Sequence, residues 1–170
     1  AMGILRTLIQ EAPKVLANPE DYDARANIFW CATCGLNYWI SVGVPQDWST
    51  HMIGHELTAF YGIDHGQSLA IILPRLLRNQ KVSKSQKLAK IAREVFKVDE
   101  SVDLKAADIA IDKIEEFFNS IGMKTHLADY EIDPAEAAEK IRDRFAKRGV
   151  AFGEKGAITA DVAYDVVLAS

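Results

Sequence analysis

The sequence predicts an all-α fold, a helical bundle, and three observations carry that prediction. Apolar residues recur at three- and four-residue steps along nearly the whole chain, with almost no alternating pattern. Helix-starting and helix-stopping residues punctuate those stretches at the right places: Asp133 before Pro134, Thr159 before the last run, Gly62 after the third. Finally, 170 residues with 49% hydrophobic content suffice for one domain with a real core, and no internal repeat or low-complexity segment divides them.

The elements follow in chain order. "GILRTLIQEAPKVLA" places Ile4, Leu5, Leu8, Ile9 and Val15 near helical period, and Pro13 predicts an interruption or kink. "ARANIFWCATCGLNYWISVGV", roughly 20–42, is apolar on most sides and predicts a central buried helix ended by the turn at Pro45. A membrane span fits it poorly, because Asn27, Thr33 and Asn37 interrupt the run and Asp21, Asp23 and Arg25 precede it. Five more helices are expected at 47–60, 64–78, 83–97, 103–121 and 134–148, with a short last one at 159–168. The segment "GMKTHLADYEIDP" reads as a loop.

Charge excludes some function classes. A formal charge of −4 gives no reason to expect a nucleic-acid or anionic-membrane partner. Lys84, Lys87, Lys90, Arg93 and Lys97 recur at helical steps and read as a solvated face. No leader-like segment opens the chain, so a cytoplasmic location is expected. Cys31 and Cys34 form a C-x-x-C inside an apolar helical run, where they behave as small buried hydrophobes, without a disulfide framework.

Three of the four histidines fall within "HMIGHELTAFYGIDHG", residues 51–66. Asp47 or Ser49 can cap the helix that carries His51, His55 and Ala59 along one face. Gly62 supplies a left-handed stop, and Asp64 with Gln67 matches a capping box for the next helix, whose first turn holds His65. Two helices joined by a tight bend can bring His51 and His65 face to face, as a metal site or an acid–base site requires. A zinc-protease H-E-x-x-H is not formed: Glu56 follows His55, but Ala59 occupies the second histidine position. Asp47, four residues before His51, reads as a cap in preference to a ligand. His126 reads as a loop or packing residue.

"HMIGHELTAFYGIDHGQSLAIILP", with "NYWISVGVPQDWST" before it and "MKTHLADYEID" after it, resembles the iron-containing alcohol dehydrogenase family, in its bacterial branch of NADPH-dependent aldehyde reductases and butanol dehydrogenases. The resemblance runs from about Ile4 to the C-terminus. It implies a dehydroquinate-synthase-like C-terminal domain over 1–170, the helical half of a two-domain dehydrogenase whose nucleotide-binding N-terminal domain lies outside this sequence. It further implies His51 and His65 as metal ligands. His55 becomes a non-ligand beside nicotinamide and substrate, assisting proton movement or orientation. The rest of the family's ligand set, an Asp and a third His on a D-x-x-x-H helix, has no counterpart here, since no histidine precedes His51. Fe²⁺ or Zn²⁺ is the implied metal and NADPH or NADH the implied cofactor, the latter held mainly by the other domain; no G-x-G-x-x-G occurs in this chain. The substrate would be a small alcohol or aldehyde, the assembly a homodimer, with Trp48 or Phe60 as apolar pocket wall. Alone, the chain should lack dehydrogenase activity. Two other readings stay open on the residues: a zinc-dependent polyol dehydrogenase or dehydroquinate-synthase-type domain, and a non-catalytic helical interaction domain.

Overall fold

The computed structural model describes residues 1–170 and contains eight α-helices, two short 3₁₀ turns and no strand. The helices are α1 (Met2–Ala17), α2 (Tyr22–Leu36), α3 (Ser49–Tyr61), α4 (His65–Asn79), α5 (Lys81–Glu94), α6 (Asp103–Ser120), α7 (Pro134–Arg148) and α8 (Ala160–Leu168). None is long and apolar enough to cross a membrane. The chain divides into two compact units, Ala1–Val44 with Lys84–Lys113, and Pro45–Ser83 with Ile114–Ser170, so the boundaries fall inside α5 and α6.

In the first unit α1 packs along α2. α1 runs on through Pro13 as one helix, contrary to the interruption expected there; the ring sits three turns from the start, and only the one backbone bond from its missing N–H is forfeited. The Asp21 carboxylate caps α2 by accepting the Ala24 N–H at 3.0 Å. The predicted buried helix over 20–42 is corrected in two respects. α2 stops at Leu36, where Asn37 accepts the Trp39 N–H at 3.1 Å and Tyr38 takes a left-handed conformation, φ 65°. Only Ala24, Cys31 and Cys34 are buried on it, while Phe29, Trp30 and Leu36 are exposed. Cys31 and Cys34 are free and buried, as expected. The lysine stripe lies on α5 up to Arg93, which ties its helix to the next by bonding the Glu100 and Ser101 carbonyls and the Asp103 carboxylate. Lys97 falls beyond the helix end.

The second unit holds the larger apolar core. Ile53 and Leu57 of α3, Ile71 and Ile72 of α4, Ile141 and Phe145 of α7 and Val166 and Val167 of α8 are all sealed from solvent. The starting signals of α7 hold: Asp133 accepts the Ala135 N–H at 2.9 Å and Pro134 takes the first position. Gly149, at φ 62°, ends the helix. Thr159 caps α8 through the Val162 N–H at 3.4 Å. Between them Phe152 and Ile158 exchange backbone bonds of 2.9 and 3.0 Å, a single isolated bridge.

Two charged groups lie deep in this unit, Glu56 and Arg75. Arg75 on α4, with its side chain 5% exposed, spends its guanidinium on three elements. Nε donates to the Ala169 carbonyl at 3.1 Å, Nη1 to Glu115 at 2.5 Å, and Nη2 lies 2.9 Å from both ring nitrogens of His126. Thr125 donates to the same Glu115 oxygen at 3.0 Å. Burial alone would push the Glu115 carboxyl up, but the bond and charge of Arg75, the Thr125 hydroxyl and His126 outweigh it and hold the group below its ordinary range. His126 is thus a loop residue, largely exposed, at the edge of this network.

Candidate metal-binding face

α3 and α4 meet through a 62–64 bend, and the bend works as the sequence suggests: Gly62 caps α3 at φ 69°, with its N–H on the Thr58 carbonyl at 2.9 Å. Both capping proposals need correction. The residue before α3 is Trp48, and the Asp47 carboxylate instead accepts the Ser49 N–H at 2.9 Å, forming a turn that leads into the helix. Asp64 precedes α4 but its side chain accepts no helix N–H, so the Asp64–Gln67 box is not formed. The first turn is instead tied by the Ser68 hydroxyl, which donates to the His65 carbonyl at 2.8 Å.

A glycine sets how closely the two helices cross. A Cβ on Gly54 would stand 3.0 Å from the Ser68 hydroxyl oxygen and 3.3 Å from a Leu69 methyl. Gly54 lies between His51 and His55 on α3, and Ser68 lies one turn from His65 on α4, so the close crossing falls within a turn of each histidine. Their centres are 5.2 Å apart for His51–His65, 5.3 Å for His55–His65 and 6.1 Å for His51–His55. Two imidazoles on one tetrahedral ion, each nitrogen about 2.1 Å from it, have ring centres about 5 Å apart. Either pair that includes His65 meets that spacing, so distance alone does not separate ligand from bystander.

Surroundings set His51 apart from the other two. His55 and His65 are exposed, whereas His51 is half-buried, with the Trp48 indole edge-on to it at 5.0 Å. Burial, then the nearby His65 and His55, lower the pKa of His51 and favour the neutral ring. Neutral imidazole is the form that coordinates a cation. The donor set is incomplete, however: no group of three or more His, Cys, Asp or Glu side chains in this chain could hold a metal ion alone. Imidazoles without a carboxylate could supply only part of a borderline-metal site.

Phe60 is not with the histidines. It packs against the core, and the Arg144 guanidinium lies 3.8 Å from its ring centre. Glu56, next to His55, is 6% exposed and pairs with Arg144 at 2.5 Å and Arg148 at 2.7 Å. Its partners lie 88 and 92 residues ahead, so no local sequence signal announces this role.

Comparisons with known proteins agree with the motif. The chain is 45% identical over 162 residues to the NADPH-dependent aldehyde reductase YqhD of Escherichia coli, covering 95% of this chain and 42% of that one. It is 34% identical over 170 residues to a probable NADH-dependent butanol dehydrogenase of Bacillus subtilis, covering 99% and 43%. The crystal structure of E. coli YqhD superposes with a TM-score of 0.94 at 44% identity, over 99% of this chain and 43% of that one. An NADH-dependent butanol dehydrogenase A from Thermotoga maritima gives a TM-score of 0.91 at 26% identity, over 100% and 45%. The chain therefore spans less than half the length of these relatives. Residues 1–163 match the family model described as Fe-containing alcohol dehydrogenase family, C-terminal, and the chain belongs to that family.

Proposed function

We propose that these 170 residues are the metal-bearing half of an NAD(P)H-dependent alcohol or aldehyde dehydrogenase of the butanol type, with His51 and His65 as two of the metal ligands and His55 as a group that touches substrate and nicotinamide. The observation that carries this reading is the convergence of three imidazoles on one face of α3 and α4, in a chain of this family. A divalent cation at such a site supplies Lewis-acid polarisation of an alcohol or aldehyde oxygen, and the nicotinamide supplies or accepts the hydride. Imidazole suits Fe²⁺ and Zn²⁺ alike.

The chain's own residues divide the remaining work. His51 and His65, on two helices brought to close approach at Gly54, hold their ring centres at a separation compatible with a shared ion. Trp48 covers one edge of His51 and keeps water from it. His55 is exposed beside both and can hold or pass a proton at a ring nitrogen as the substrate oxygen gains or loses one. The other ligands and the nucleotide site are assigned to residues outside these 170.

Zn²⁺ titration of the chain tests the ligand roles. His51→Ala and His65→Ala should each abolish the weak binding of the pair, and His55→Ala should retain it. Equal losses at all three positions would overturn the assignment of His55. With NADPH and butanal, the chain alone should give no turnover even with Fe²⁺ or Zn²⁺ present, and robust turnover would refute the reading as a half-site.

A further inference from the structure

We propose that Glu56 is a positioning residue for His51 and His55, fixing the rotation of α3 by gripping two arginines of α7. The proposal rests on the half-site reading above and names the part of the fold that aims its rings. Glu56 is nine-tenths buried, and each carboxylate oxygen takes one arginine: Oε2 accepts from Arg144 Nη1 at 2.5 Å and Oε1 from Arg148 Nη1 at 2.7 Å. Arg144 and Arg148 are one helical turn apart, so they form a fork along one face of α7. Arg144 also lies over the ring of Phe60, one turn beyond Glu56 on α3.

Stability is a poor reason for this cluster. Burying the Glu56 carboxylate costs desolvation that a well-packed apolar side chain of the same volume avoids. What a forked carboxylate adds is direction. An apolar residue at position 56 could slide along α7, whereas two oxygens bonded to two arginines one turn apart on α7 favour one rotation of α3. The longer contact with α4 sets how deep α3 sits, and the shorter contact with α7 is where Glu56 and Phe60 hold it.

The histidines lie at the other end of the same lever. Glu56 is about 100° round the helix from His55 and about 140° from His51, at 3.6 residues per turn. A side-chain atom stands about 6 Å from the helix axis, so a turn of ten degrees carries an imidazole nitrogen about 1 Å. Metal–ligand distances tolerate about 0.2 Å. Loss of the grip would therefore misplace rings that Gly54 still holds at the right depth.

Three variants of the full 170-residue chain decide the matter, measured well below their melting temperatures. In the metal-free chain, Glu56→Gln should shift the ring NMR resonances of His51 and His55 and leave those of His126 in place. Its Zn²⁺ affinity should fall about tenfold, the scale of lost outer support at metal sites. The triple replacement Glu56→Leu, Arg144→Leu, Arg148→Leu should lose affinity likewise while its melting temperature holds or rises, which a purely structural role does not predict. Unmoved rings, or wild-type affinity in both folded variants, would overturn the proposal. His51→Ala separates the two readings: if it leaves Zn²⁺ affinity untouched, the metal assignment falls, and the ring resonances alone then judge the positioning role.

Discussion

α2 and α4 are both fifteen residues long, and α2 reads as the more deeply buried of the two. The structure reverses that order. α4 buries seven residues, Arg75 and Pro74 among them, while α2 buries three small ones. The difference lies in arrangement. Ile71, Ile72 and Leu76 gather on one side of α4, which α3 and α8 cover. The apolar residues of α2 are spread round all its sides, and one neighbouring helix covers only one of them. Composition thus measures how much surface a helix could bury, and periodicity shows how much its own neighbours take up.

The largest effects should appear on α4. Ile71 has no exposed surface and sits in the main core cluster. Ile71→Ala should cost about 3 kcal/mol, as transfer loss plus cavity, read from the denaturant midpoint at unchanged slope. A cost under about 1 kcal/mol would mean that α4 is not packed as described.

Arg75 comes next, because α4 buries charge as well as carbon. Arg75→Ala removes the main partner of Glu115 and the donor to the Ala169 carbonyl, and should cost about 2 kcal/mol, less than a full buried pair because Thr125 still bonds the carboxylate. pH reads the same network. The folded-state pKa of Glu115 is lowered, so its contribution is fully present above the ordinary glutamate pKa and is lost as pH falls through the folded value. Urea midpoints taken downward from pH 5 should show an acid loss of stability in the wild type that shrinks in Glu115→Gln. Equal acid sensitivity of the two proteins would remove Glu115 from the explanation.

Gly54→Ala probes the α3–α4 crossing. The added methyl meets the Ser68 hydroxyl at 3.0 Å, and Ser68 can yield only by giving up its bond to the His65 carbonyl. Crowding of about 2 kcal/mol, less about 1 from better helix propensity, leaves a net cost of about 1 kcal/mol. Adding Ser68→Ala should recover part of it, and strict additivity in that double-mutant cycle would show that the two residues do not touch.

What was legible in the sequence follows the same division between local and distant causes. The start of α7 is written in Asp133 and Pro134, residues that act within one turn of themselves. The three-histidine face is legible because i, i+4 spacing and a glycine stop are also local. The fork on Glu56 needs partners 88 and 92 residues away, and no periodicity announces them. The Asp64–Gln67 box failed although its spacing was correct, because spacing permits a side-chain bond without requiring it. The burial of α2 was misread because an all-round apolar helix states a demand for partners without saying whether the chain contains them.

The smallest effect expected is therefore on α2, and it is the sharpest check of the comparison. Phe29 is 65% exposed, with the Arg25 guanidinium 5.9 Å from its ring centre as its one aromatic contact. Phe29→Ala should change stability by about 0.5 kcal/mol or less, against about 3 to 5 for a phenylalanine removed from a core. The two outcomes lie far enough apart for a single urea titration to separate them. A core-sized loss in the isolated chain would show that the apolar sides of α2 do find cover within these residues, and that the residues between its buried positions carry the weight the sequence assigned to them.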